Sequence, residues 1–136
     1  MTFSKLIAIA AATAALTACG SAQKMADSAM PGKSTPTQSR DGVLIGPKGM
    51  TLYTFAKDSA NSGTSVCNGQ CAVNWPPLGV ESKAQPLGDY TIITRTDGSK
   101  QWAYKGMPLY YFVKDTKPGD KLGDGLLNGN WRVARP

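Results

Sequence analysis

The 136-residue chain contains no histidine. That gap removes the commonest general base, the usual proton carrier of a nucleophilic triad, and the main protein ligand of zinc, copper and non-haem iron. Haem attachment through Cys-x-x-Cys-His is excluded with it. Cysteine is nearly as scarce, present only as Cys19, Cys67 and Cys71. No stretch after Cys19 is apolar for long enough to span a bilayer as a helix. Acidic residues are outnumbered 9 to 15 by lysine and arginine. Yet cations such as Lys48, Lys83, Lys100 and Lys121 stand singly, without the block or basic helix that marks a nucleic-acid footprint. No nucleic-acid partner is therefore expected. The surplus charge suits a solvated surface, or attraction to anionic headgroups and cell-wall polymers. Fifteen glycines and nine prolines leave little room for long helices.

What is present begins with a leader. Residues 1–18 carry one cation, Lys5, an apolar run from Leu6 to Leu16, and the small residues Thr17 and Ala18. This is the layout of a secretory signal, with an apolar segment too short to cross a bilayer. Leu16-Thr17-Ala18-Cys19 resembles the lipobox of bacterial lipoproteins. The resemblance implies cleavage before Cys19 and acylation there with diacylglycerol and a palmitate-type chain. Two or three chains would hold the protein firmly to a membrane. Gly20 in place of an aspartate implies the outer membrane, facing the periplasm or the cell surface. Loss of Lys5 with the leader lowers the net charge from +6 to +5. Residues 19–40 are rich in Ser, Gly, Pro, Ala and Thr, without apolar period, and read as a tether averaging about 25 Å end to end. Met25 and Met30 in that stretch are too few and too far apart for a copper tract.

Residues 41–136 suffice for one domain with one core. They contain a repeat: Lys48-Gly49-Met50-Thr51-Leu52-Tyr53-Thr54-Phe55-Ala56-Lys57-Asp58 aligns with Lys105-Gly106-Met107-Pro108-Leu109-Tyr110-Tyr111-Phe112-Val113-Lys114-Asp115. Asp41-Gly42 and Asp97-Gly98 precede the copies, and Trp75 and Trp131 follow them at nearly equal distances. Two units, near 41–78 and 97–134, fall short of the three or so that a solenoid needs, so they are expected to share one core as a pseudo-symmetric pair. Thr51–Phe55 and Leu109–Val113 have strand composition. Tyr90–Arg95 and Lys100–Tyr104 flank Asp97-Gly98 as a hairpin, and Val43–Ile45 turns back through Gly46–Gly49 onto the first motif. The expected fold is a small all-β, two-repeat domain of β-hairpins behind a signal peptide and flexible tether, with at most a helical turn near Cys67 to Val73.

Few residues suggest chemistry. Cys67 and Cys71 in an oxidising compartment read first as a disulfide worth about 2 kcal/mol, because the loop is short. A redox pair or half of a metal site are the alternatives, although the spacing is not the Cys-x-x-Cys of thioredoxin-like proteins. Asp58 and Asp115 read as turn residues that bind the backbone of the next loop, or alternatively as a hydrolytic acid pair. Tyr53, Phe55, Tyr110, Phe112, Trp75, Trp102 and Trp131 read as core, with stacking on sugars or a flat ligand as the alternative. Met50 and Met107 suggest packing before Cu(I). The segment Asp120–Asn130 has oxygen ligands but lacks EF-hand spacing. No metal site and no cofactor are expected. Candidate binding residues are Tyr53, Asp58, Tyr110 and Asp115.

Tyr53-Thr54-Phe55-Ala56-Lys57-Asp58 and Tyr110-Tyr111-Phe112-Val113-Lys114-Asp115 are both instances of Tyr-x-[Phe/Trp/Tyr]-x-x-Asp. With Cys67-x-x-x-Cys71, Trp75-Pro76-Pro77-Leu78 and the tail from Pro118 to Trp131, the chain resembles the secreted or lipoprotein repeat family of unknown function described by that motif. The resemblance covers nearly all of residues 41–136 and implies architecture and location, not an activity. The resulting expectation is a non-enzymatic envelope lipoprotein that binds an envelope or cell-wall partner or supports the surface. A redox or copper-handling accessory protein and an aspartate-pair hydrolase are the alternatives.

Overall fold

Short, apolar, β-branched segments separated by tight turns dictate a fold of small antiparallel sheets. The computed structural model describes residues 35–136. The leader, Cys19 and most of the expected tether lie outside them. Strand β1 (Gln38–Arg40) pairs with β2 (Val43–Ile45) in the register Arg40↔Val43. Only Asp41 and Gly42 connect them, at φ 53° and 76°, the double left-handed geometry of a type I′ hairpin turn. Because β1 lies inside the stretch read as tether, folded structure starts before Asp41.

All three residues of β2 are buried, with Val43 and Ile45 in one apolar cluster and Leu44 in another. A strand covered on both faces loses the polar alternation of a surface strand. The chain then turns over Gly46–Met50, closed by a bond from Gly46 N to Met50 O (2.9 Å), and enters β3 (Tyr53–Phe55). Strand β3 pairs with the C-terminal strand β7 (Trp131–Val133) in the register Phe55↔Trp131. Between them stand the short helix α1 (Gln70–Asn74), the hairpin of β4 (Tyr90–Thr94) and β5 (Lys100–Tyr104), the two-residue strand β6 (Met107–Pro108), and a helical turn, α2 (Leu126–Gly129). The sheets are β1–β2, β3–β7 and β4–β5–β6.

The all-β expectation stands, together with the hairpin around Asp97-Gly98 and the helical turn after Cys67. One element differs. Leu109–Val113 is not a full strand: only Tyr110 forms bridges, to Tyr53 and to Pro77, and Val113 already belongs to a turn. Its neighbour, residues 74–78, includes Pro76 and Pro77, which lack an N–H and can only accept. The pairing consists of Tyr111 N to Pro76 O (2.7 Å), Val113 N to Asn74 O (2.9 Å) and Leu78 N to Leu109 O (2.9 Å).

Main-chain bonds reveal the repeat as a pseudo-two-fold. Ala56 N donates to Asn130 O as Val113 N donates to Asn74 O. Leu44 N reaches Ala134 O, and Trp102 N reaches Leu78 O. On the axis, Tyr53 N donates to Tyr110 O (2.8 Å) and Tyr110 N to Tyr53 O (2.9 Å). One apolar cluster gathers the motif aromatics with Trp75 and Trp131, and the other gathers Leu52, Leu78, Leu109, Tyr90 and Trp102. Among the described residues, no helix is long and apolar enough to cross a membrane.

Candidate functional site

The backbone pair on the pseudo-two-fold sets Tyr53 and Tyr110 side by side, and each tyrosine reaches into the other repeat. The Tyr53 hydroxyl donates to Asp115 Oδ2 (2.6 Å), and the Tyr110 hydroxyl donates to Asp58 Oδ2 (2.6 Å). The second oxygen of each carboxylate holds the loop that follows it. Asp58 Oδ1 accepts from Val66 N (2.8 Å), and Asp115 Oδ1 accepts from Leu122 N (3.0 Å). Both tyrosines are fully buried, and both aspartates nearly so. The four candidate binding residues are thus brought together in two reciprocal pairs.

Burial, and then the hydrogen bond to a carboxylate, raise the hydroxyl pKa of Tyr53 and Tyr110 far above the ordinary tyrosine value. Low dielectric and an adjacent anion both oppose a phenolate. Each hydroxyl is therefore a fixed donor at any physiological pH.

The aromatic rings repeat the exchange. Phe55 of the first repeat stacks on Trp131 of the second (centroids 4.2 Å apart), and Phe112 of the second stacks on Trp75 of the first (4.3 Å). Trp75 and Trp131 stack on each other at 3.7 Å and 5°. The result is a continuous pile, Phe55–Trp131–Trp75–Phe112, with Tyr53 and Tyr110 edge-on to the tryptophans. Stacked and edge-to-face pairs each add about 0.5–1.5 kcal/mol beyond area burial.

The halves differ in how they finish the tyrosine hydroxyls. Tyr53 Oη also accepts from the main-chain N of Gly123 (3.3 Å). Tyr110 Oη instead meets Ser65 Oγ (2.5 Å), which accepts from Arg95 Nη1 (3.1 Å). Arg95 is only 4% exposed; it also donates to Gln101 Oε1 (2.6 Å) and to the carbonyl of Cys67. A buried guanidinium requires such a full set of acceptors. Sequence reasoning missed Arg95, because a cation beside Asp97-Gly98 reads as a solvated turn residue.

Cys67 and Cys71 form a disulfide with Cα atoms 5.2 Å apart, and Cys67 is fully buried against the aromatic cluster. The bridge closes the loop from Ser65 into α1, which has no counterpart cystine in the second repeat. Among the described residues, no group of three or more Cys, Asp or Glu converges as a metal site. Met50 borders a cavity and Met107 lies in β6. In the segment 120–130, which includes α2, Asp120 accepts from Thr116 N and Lys117 N, and Asp124 accepts from Val133 N.

Comparison with known families agrees with the geometry. A family model described as a secreted repeat of unknown function (Lipoprotein_15) matches the chain twice, at residues 35–79 and 91–135. No curated protein and no solved structure gives a match.

Proposed function

Because the chain belongs to a family of secreted repeats of unknown function, we propose that it serves as a non-catalytic envelope module, acylated at Cys19 and held on the outer membrane by that anchor. The observation that carries the non-catalytic reading is the engagement of both carboxylates. Each has one oxygen on the other repeat's tyrosine and one on a loop N–H. An acid pair working on a substrate needs a carboxyl oxygen free to reach it; here the motif residues lock two repeats together instead. The anchor reading is supported by the leader and by Leu16-Thr17-Ala18-Cys19. On this reading the module presents its surface, including the cavity bordered by Met50, to an envelope partner or ligand.

Two measurements test it. Growth with radiolabelled palmitate should label the wild-type chain and leave Cys19→Ser unlabelled; an unlabelled wild type would discard the anchor. Asp58→Asn and Asp115→Asn should lower the melting temperature, with any cellular phenotype following the loss of folded protein. A variant that stays folded at wild-type level yet loses its phenotype would point to carboxylate chemistry.

A further inference from the structure

Leu122, Leu126 and Leu127 stand 59%, 40% and 62% exposed within one short stretch of chain. Bonds from Asp124 N to Lys121 O, Leu126 N to Gly123 O and Gly129 N to Gly125 O wind that stretch into consecutive tight turns. The three leucines therefore share one compact knob, and α2 within it has no buried residue. Single exposed apolar side chains are ordinary on a protein surface, but three large ones on one knob call for a reason.

Backbone geometry shows that internal packing is not that reason. Leu127 has φ 54° and Asn128 φ 57°, the left-handed region that glycine occupies freely and leucine only under strain. A side chain held in the core would account for the strain, yet that of Leu127 faces solvent. Glycine would hold the same turn at lower cost, so whatever rewards a leucine there lies outside the domain.

Charge identifies the partner. Lys114, Lys117, Lys121 and Arg132 flank the leucines in sequence, and all four are exposed. The three carboxylates of the same stretch each accept from the main chain: Asp115 from Leu122 N, Asp120 from Thr116 N and Lys117 N, Asp124 from Val133 N. Leucines with cations beside them suit the surface of an anionic bilayer, where apolar side chains enter the acyl boundary and lysines meet phosphate. The equivalent loop of the first repeat, residues 59–74, exposes Val66 and Val73 but holds no charged residue.

The length of chain between Cys19 and Thr35 permits the contact. Fully extended it would span about 55 Å, against a width of roughly 35 Å for a domain of this size. An acyl anchor on Cys19 thus leaves every face of the domain able to reach the bilayer, and the knob selects the face that does.

We propose that residues 121–130 form a membrane-docking knob, which seats Leu126 and Leu127 in the interface of an anionic phospholipid bilayer. The proposal rests on the reading of the chain as an anchored envelope module and deepens it. The test uses the mature chain, residues 19–136, carrying Cys19→Ser; it keeps every described residue and has neither leader nor acyl chain. This protein is sedimented with vesicles of phosphatidylethanolamine and phosphatidylglycerol, or of phosphatidylcholine alone.

Binding to the anionic vesicles is expected, weakening as salt is added, with binding to the neutral ones about ten-fold weaker. Leu127→Gly should weaken binding about five- to ten-fold. Its melting temperature should be unchanged or higher, because glycine accepts the left-handed turn. Lys117→Gln with Lys121→Gln should lower both the affinity and its salt dependence, whereas Val66→Ser with Val73→Ser should bind as wild type. No sedimentation with anionic vesicles overturns the proposal, as does wild-type affinity in Leu127→Gly or an equal loss in the first-loop variant. So does a dimer in solution that Leu127→Gly converts to monomer, which would assign the knob to a second copy of the chain. Because no acyl chain is present, these outcomes are independent of the palmitate labelling that tests the anchor.

Discussion

At the residue scale, the tyrosine of each motif is paired with the aspartate of the other copy. A hydrogen bond to a charged acceptor contributes about 1.5–3 kcal/mol, and removing the donor leaves a buried carboxylate oxygen without a partner. Tyr53→Phe is therefore expected to cost about 2–3 kcal/mol in urea unfolding. Tyr110→Phe should cost at least as much, because Ser65 and Arg95 lose a neighbour with it; equal stability of either variant and wild type would mean the pairs contribute nothing. The same two hydroxyls set an alkaline limit. Their folded pKa values are raised above the ordinary value near 10, so the native state keeps protons that the unfolded chain releases. Stability from these groups is complete below about pH 10 and declines as pH rises from there toward the folded pKa values. The slope is at most about 1.4 kcal/mol per pH unit for each tyrosine. Melting temperatures measured from pH 8 to 11.5 should be flat and then fall. The Tyr53→Phe, Tyr110→Phe double variant should start lower and lose most of that slope.

At the scale of elements, each motif aspartate governs the loop that follows it, and the two loops are tightened by different means. The first carries the disulfide, the second a close glycine. Replacing Cys67 and Cys71 by alanine should cost about 2 kcal/mol. Hydrogen exchange should rise chiefly in residues 65–74, while near-ultraviolet ellipticity from the ring pile persists; uniform loss of protection would mean the bridge staples the whole domain. In the second loop, a methyl group on Gly123 would lie 2.6 Å from a ring carbon of Trp75. Gly123→Ala should destabilise by about 1–3 kcal/mol through overpacking, and a melting temperature equal to wild type would show that the loop can move aside. The elements themselves were legible where local chemistry decides them. Asp97-Gly98 announced a hairpin turn, and the motif strands announced themselves by aromatic and β-branched content. What stayed hidden depends on partners distant in sequence. Pro76 and Pro77 reduce the second motif to bridges only because they lie beside it. Gln38–Arg40 looks like tether until Val43–Ile45 supplies its partner. Arg95 looks solvated until the first loop folds over it.

At the scale of the whole molecule, the two repeats share one core. The sequence showed two copies on one plan, but it could not show that they exchange partners. Within a motif Tyr53 and Asp58 are five residues apart, and nothing local says that each belongs to the other copy. Only the pseudo-two-fold makes Tyr53 face Asp115 and interleaves Phe55 and Trp75 with Trp131 and Phe112. The consequence is that neither repeat buries its own aromatic face. A fragment of residues 35–84 retains Phe55 and Trp75 but lacks both rings that stack on them from the other repeat, along with β7, the strand that pairs with β3. The fragment of residues 85–136 keeps the β4–β5–β6 sheet yet loses the acceptor of Tyr110 and the neighbour of Trp131. Stacking and hydrogen bonds that cross between halves are gained only on assembly, against the conformational entropy of both chains. Each fragment alone should therefore lack the tryptophan near-ultraviolet circular dichroism of the intact protein. An equimolar mixture should recover it, with a midpoint that depends on concentration as for any bimolecular assembly. Either fragment showing the native spectrum alone would mean that one repeat carries a complete core and that the exchange merely decorates it.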